Sequence, residues 1–176
     1  MTACNPYLTP VDTKPNSLRL TALLSLTRQC IEVSPVLFNT LLFTRSDISY
    51  AVQQVCLFMH DPHESHFTAL KRILRYVKGT ISHDLQLYKL SAMNLVAYYD
   101  ADCAGCPTTR RSTSVLCIFF GDNLISWSAK RQHTVSRSSA EAEYRVVTNA
   151  VAEISWLWNL FLEMRCPLQK TSLVFL

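Results

Sequence analysis

The pattern of apolar and polar positions becomes legible at Ser46. Ile48, Ala51, Val52, Val55, Phe58 and Met59 recur at helical spacing and so share one stripe. Asp61-Pro62 closes this helix and opens a second: Asp61 can cap, Pro62 suits the first helical position, and Glu64 completes a capping box. In the second helix Phe67, Leu70, Leu74 and Val77 share a side, Lys71, Arg75 and Lys78 line its edge, and Gly79 is the expected left-handed stop. After Gly79 the period shortens. Residues 83–88 suggest a short strand, and 94–100 are almost continuously apolar and rich in β-formers, which predicts a buried strand. Residues 113–120 and 124–128 read as two more strands, joined by a tight turn at Gly121-Asp122. A long helix is predicted over 139–164 and is ended by Cys166-Pro167, and residues 171–176 begin a further strand. Strand, strand, strand, helix, strand is a mixed α/β (α+β) order in which a meander meets a crossover unit. The chain before this is different in kind. Residues 1–44 form an irregular lead-in, with Pro6, Pro10 and Pro15 near its start and an apolar stretch without a clean period after them. The organisation is therefore a lead-in to residue 44, a helical hairpin over 45–82 and an α/β region over 83–176.

The long helix carries the first chemical clue. Glu143, Val147, Ala150, Ile154, Leu157 and Phe161 follow one another at steps of three and four, which keeps them on one face. All but Glu143 are apolar. Glu141, Arg145, Thr148, Ser155, Asn159 and Glu163 fall on the opposite face. Glu141 has a structural explanation, since Ser138 to Glu141 is a capping box and Arg145 is four residues on. Glu143 has none. On a buried stripe its carboxylate needs a cation or a donor; on a frayed helix end it simply reaches water. Asp100 supplies a second carboxylate at the end of the strand over 94–100, on the face of Val96 and Tyr98. Carboxylates at the mouth of a central strand suit a hard divalent cation such as magnesium. Asp102 points to the same side in an extended chain and reads either as a loop residue or as a group that supports the metal-binding carboxylates from behind.

Two polar segments flank these carboxylates. Lys130, Arg131, Gln132, Ser136, Arg137 and Ser138 precede the long helix, where side chains and free backbone N–H groups suit phosphate contact. Arg110 and Arg111 form a smaller basic loop after the strand that ends at Asp100. Composition adds little that conflicts. The 176 residues suit one domain or one and a half, 49% of them are hydrophobic, and 17 Lys+Arg against 13 Asp+Glu give a net charge of +4, compatible with a polyanionic partner. The seven cysteines are scattered and no secretory signal is evident, which points to a reduced, intracellular setting. No apolar run is long enough to span a bilayer, and no membrane or small-molecule substrate is expected.

At these residues a resemblance enters. Tyr99-Asp100-Ala101-Asp102-Cys103-Ala104-Gly105, Arg110-Arg111-Ser112-Thr113-Ser114, Ile125-Ser126-Trp127-Ser128-Ala129-Lys130-Arg131-Gln132 and Val135-Ser136-Arg137-Ser138-Ser139-Ala140-Glu141-Ala142-Glu143-Tyr144-Arg145 stand in this order. Together they resemble the ribonuclease H region of copia-type LTR retrotransposon polyproteins. Asp47 to Val52 and Leu70 to Thr80 resemble the segment joining reverse transcriptase to that domain, and Cys4-Asn5-Pro6 with Thr9-Pro10-Val11-Asp12 resembles the tail of the polymerase part. The resemblance implies hydrolysis of the RNA strand of an RNA–DNA hybrid by a two-magnesium mechanism, with Asp100 and Glu143 as catalytic and metal-binding carboxylates. It implies an RNase H-like fold over 83–176, after a connection hairpin over 45–82 and a degenerate polymerase tail over 1–44.

The departures shape the expectation. In the family a third aspartate follows directly after the strand that begins at 171, and a fourth lies further on; residues 1–176 include neither, so the site is expected to be truncated and inactive. Cys103 stands where tryptophan is usual and Val115 where glycine is usual, and residues 17–43 depart from the pattern. A non-catalytic nucleic-acid-binding remnant, and a relic of a transposable element without function, are the alternatives. A metal module built on Cys103 and Cys106 is a weaker one, because no second C-x-x-C pair matches it.

Overall fold

The computed structural model describes residues 42–89, 94–166, 168 and 172–175. The expected lead-in lies outside them up to residue 41. The chain divides into two compact units, Met1–Leu85 and Gln86–Leu176.

In the first unit a 3-10 turn, Ser46–Ile48, leads into helix α1, Ser49–Cys56, and a second helix, α2, covers Glu64–Gly79. Ile48, Ala51, Val52 and Val55 bury themselves against Leu70 and Ile73. The inward residue of α2 is Ile73, whereas Leu74 is 52% exposed. Both fit helical spacing from Leu70; only packing against α1 chooses between them. The start of α2 also differs from expectation. His63, not Asp61, is the N-cap: it is extended, at φ −106° and ψ 165°, and its N–H donates to His66 Nδ1 at 3.0 Å. Gly79 is the last helical residue rather than a left-handed stop, and Thr80 caps the end at φ −126°. A buried Arg45 closes the hairpin: its guanidinium donates to Asp47 (3.0 and 2.7 Å) and to the Thr80 carbonyl and hydroxyl (3.0 and 2.7 Å). Tyr76 Oη also donates to Asp47, at 2.8 Å.

Among the described residues, the second unit is a four-stranded sheet with one long helix. Its strands are β1 (Leu95–Ala101), β2 (Thr113–Phe120), β3 (Asn123–Arg131) and β4 (Leu173–Phe175), in spatial order β3-β2-β1-β4. The first three form an antiparallel meander and β4 lies parallel to β1. Helix α3, Ser139–Glu163, makes the crossover between them. This is the expected α/β order. Residues 83–88 form no strand; instead Tyr88 exchanges two hydrogen bonds with the Asn123 side chain, at 2.6 and 3.0 Å. β3 runs to Arg131, further than its apolar pattern suggested, because its last residues keep pairing with Thr113 to Val115.

Leu95, Ala97, Leu116, Ile118 and Phe120 point to α3 and meet Ala150, Ile154, Leu157 and Phe161. The other face of the sheet carries Val96, Tyr98, Phe119 and Phe175, with Tyr98 packed on both aromatic rings. Strand β1 is therefore buried on one face alone among the described residues, and Tyr98 is 50% exposed. Alternation, masked in the sequence by tyrosines on both faces, is the reason. Helix α3 ends before Cys166-Pro167, in a Schellman turn: Cys166 N–H donates to Phe161 O at 2.9 Å and Arg165 N–H to Leu162 O at 3.0 Å, with Arg165 left-handed at φ 57°.

Candidate active site

The buried stripe of α3 is Ala142, Val146, Ala150, Ile154, Leu157 and Phe161. Glu143 and Val147 are half-buried on its flank, which corrects the expected stripe at its N-terminal end. The reason is helical drift: each step of four advances the face by about 40°, so from Ala150 back to Ala142 the buried line rotates away from Glu143. Glu143 bears no full burial penalty.

Asp100 sits one residue before the end of β1, exposed, on the sheet face of Val96 and Tyr98, and paired across to Val115. Ala101 then pairs with Ser114 and Thr113 with Arg131, so the end of β1, the start of β2 and the end of β3 lie at one end of the sheet. The loop between β1 and β2 is folded onto itself there. Asp102 N–H donates to Thr113 O at 3.2 Å, and the Asp102 carboxylate accepts from Thr113 N–H. Ala104 N–H donates to Ser112 Oγ at 3.1 Å, and Arg110 N–H to Cys106 O at 2.8 Å. Arg110 takes a left-handed backbone at φ 55°, and it and Arg111 are exposed.

The loop from β3 to α3 is held just as firmly. Gln132 is 8% exposed and spends its amide inside: Nε2 donates to Ser114 Oγ at 3.0 Å and to Ala142 O at 2.9 Å, while Oε1 accepts from Ser136 Oγ at 2.9 Å. Ser138 is the N-cap of α3 and accepts from Glu141 N–H at 3.2 Å. Glu141 returns the bond to Arg137 N–H at 2.7 Å and pairs with Arg145 at 2.5 Å; the Arg137 N–H is the main reason its carboxyl is held below the usual range. Arg145 reaches back to the Thr134 carbonyl at 3.1 Å. Lys130 and Arg137 are exposed and Arg131 is half-buried.

Asp122, between β2 and β3, and Glu163, the last residue of α3, lie elsewhere in this unit, and its other carboxylates divide into two groups. Asp102, Glu141 and Glu153 (which accepts from Ser126 Oγ at 2.9 Å) are committed to the fold. Asp100 and Glu143 have no side-chain hydrogen bond or ion pair among the described residues. Of the expected phosphate contacts, Arg110, Arg111, Lys130 and Arg137 present exposed cationic side chains, while Gln132, Ser136 and Ser138 are engaged as above. Sequence reasoning missed the bracing role of Ser114. Its place in the inward alternation of β2, with Leu116, Ile118 and Phe120, is the signal that could have found it. Cys103 is exposed and Cys106 buried, with Cys106 Sγ 3.3 Å from Thr108 Oγ1. Among the described residues no cluster of three or more His, Cys, Asp or Glu forms a metal site, and no helix is long and apolar enough to cross a membrane.

No family model and no solved structure matches the chain. Curated relatives do. An uncharacterized mitochondrial protein of Arabidopsis thaliana is 50% identical over 156 residues, 89% of this chain and 65% of that protein. The retrovirus-related Pol polyprotein from transposon RE1 of Arabidopsis thaliana is 46% identical over 135 residues, covering 77% of this chain and 9% of the polyprotein. The corresponding polyprotein from transposon RE2 is 43% identical over 135 residues, with the same 77% and 9% coverage. This chain thus spans about two thirds of the first relative and about a tenth of the polyproteins, and it belongs to the family of copia-type retrotransposon Pol polyproteins.

Proposed function

We propose that residues 86–176 carry an RNase H-type portion of a Pol polyprotein, with Asp100 and Glu143 as its metal-binding carboxylates and an RNA–DNA hybrid as its partner. The observation that supports this most is the contrast among carboxylates: at the end of the sheet where both loops converge, Asp100 and Glu143 are the ones left uncommitted. Two carboxylates fit a hydrated magnesium, which binds through one or two such groups and keeps several waters. When bound, magnesium supplies the activated water and the charge stabilisation of an in-line displacement at phosphorus. The chain's own part is to present the Asp100 and Glu143 oxygens that would hold the metal beside the phosphate and to meet the backbone on either side with Arg110, Arg111, Lys130, Arg131 and Arg137. Gln132, Ser136 and Ser138, whose side chains the fold engages, would contribute through the loop they shape.

The third and fourth aspartates of the family pattern are not among residues 1–176. On its own this polypeptide is expected to bind a hybrid weakly and to leave it uncut. The test is a labelled RNA–DNA hybrid with magnesium, run beside Asp100→Asn and Glu143→Gln. Cleavage that both substitutions abolish would overturn the inactive reading while supporting the carboxylate assignment. Cleavage that survives both would overturn the assignment.

A further inference from the structure

Gln132 stands among the residues that suit phosphate contact, yet its geometry serves something else. Its side chain uses both amide hydrogens and its carbonyl inside the protein, on partners from three places: Ser114 on β2, Ser136 in its own loop, and the carbonyl of Ala142 in the first turn of α3. Its backbone N–H adds a fourth tie, to Ser112 O at 2.8 Å in the loop after β1. Two of these ties end beside the candidate carboxylates. Ser114 is the cross-strand partner of Ala101, next to Asp100, and Ala142 immediately precedes Glu143. Ser114, Gln132 and Ser136 are all buried, so none of these bonds is shared with bulk water. A buried polar knot that is fully satisfied fixes one arrangement of the elements it joins.

We infer that Gln132 is the positioning residue of the Asp100–Glu143 pair: through Ser114 and Ala142 its amide fixes the first turn of α3 against the end of β1. This rests on the carboxylate assignment above. The main chain would reach the same topology without it, held by the apolar contacts of α3 with the sheet. What Gln132 sets is the relative placement of the two carboxylates, which a metal ion reads to within a fraction of an ångström.

The experiment uses the full chain and the isosteric variant Gln132→Met, with Ser136→Ala, which removes one of the bonds, as the milder companion. Amide hydrogen exchange is read without metal. In Gln132→Met the amides of Glu143 to Val146 should exchange at least tenfold faster, while those around Ile118 and Ile154 keep their rates. Manganese(II), added as the probe, should broaden the Asp100 and Glu143 resonances of the unsubstituted chain, with a Kd at least tenfold weaker in Gln132→Met and an intermediate one in Ser136→Ala. Unchanged exchange in a folded Gln132→Met overturns the inference whatever the metal does. So does changed exchange with an unchanged manganese Kd, which makes Gln132 a brace and nothing more. If the unsubstituted chain shows no manganese effect at Asp100 and Glu143, the carboxylate assignment falls first and takes the positioning role with it, a failure the metal-free exchange data keep distinct. Should Gln132→Met not fold, Ser136→Ala decides by the same two readings.

Discussion

Gly105 gives the sharpest stability test in the second unit. Its backbone is not left-handed, so alanine is conformationally acceptable there and would even gain a few tenths of a kcal/mol to about 1 kcal/mol through the unfolded chain. The obstacle is a side chain. A Cβ at this position would lie 2.5 Å from Asp102 Cγ and closer still to Oδ2. Asp102 cannot swing away without cost, since its carboxylate accepts the N–H of the buried Thr113. Losing a charge-assisted bond and leaving that N–H without a partner costs about 2–3 kcal/mol. Gly105→Ala should therefore destabilise the unit by about 2 kcal/mol, while in an Asp102→Ala background the same change should be neutral or slightly stabilising. The two substitutions thus couple by about 2 kcal/mol. Urea unfolding followed by tryptophan fluorescence reads this unit selectively, because Trp127, Trp156 and Trp158 all lie within it. A Gly105→Ala penalty of the same size with and without Asp102 would refute the steric account.

Two further predictions concern helix ends and pH. Arg165→Gly should raise the stability of the second unit by about 0.5–1 kcal/mol, since a left-handed arginine closes the Schellman turn of α3 and glycine adopts that backbone freely; a lower urea midpoint in the variant would contradict it. The helical hairpin should lose stability on acidification in two stages, followed by circular dichroism. Burial is the main cause that holds the His66 imidazole below its usual value, with His63 adding to it. The unfolded chain therefore binds that proton more readily, and stability falls as pH drops below about 6.5. The hydrogen bond from Arg45 is the main cause that holds Asp47 below the ordinary carboxylate value, so its contribution is present above about pH 4 and is lost as pH falls through the lower folded value. Asp47→Asn should remove the second stage and leave the first.

How much of this was legible in the sequence depends on what kind of information each feature needs. The helices and the meander were, because six or more apolar positions at one period overdetermine an element. The choice between Ile73 and Leu74, or between Ala142 and Glu143, was not: neighbouring positions satisfy the same spacing, and only the element packed against them decides. Helix ends are legible where a side chain caps, as at Ser138, and misleading where a glycine suggests a stop, since Gly79 is simply helical and Arg165 takes the left-handed place at the end of α3. The candidate site follows the same logic. Sequence supplies a set of polar residues near Asp100 and Glu143 but not which of them the fold has already spent. Asp102 and Glu141 are carboxylates just as Asp100 and Glu143 are, and Gln132 is as polar as any phosphate contact, yet each is consumed by a backbone group in the same loop, on the next strand or in the first turn of α3. Subtracting those commitments at this end of the sheet leaves Asp100 and Glu143, the pair on which the proposed function rests. It also turns Gln132 from an expected ligand for nucleic acid into the proposed tie between the strand and the helix that carry them.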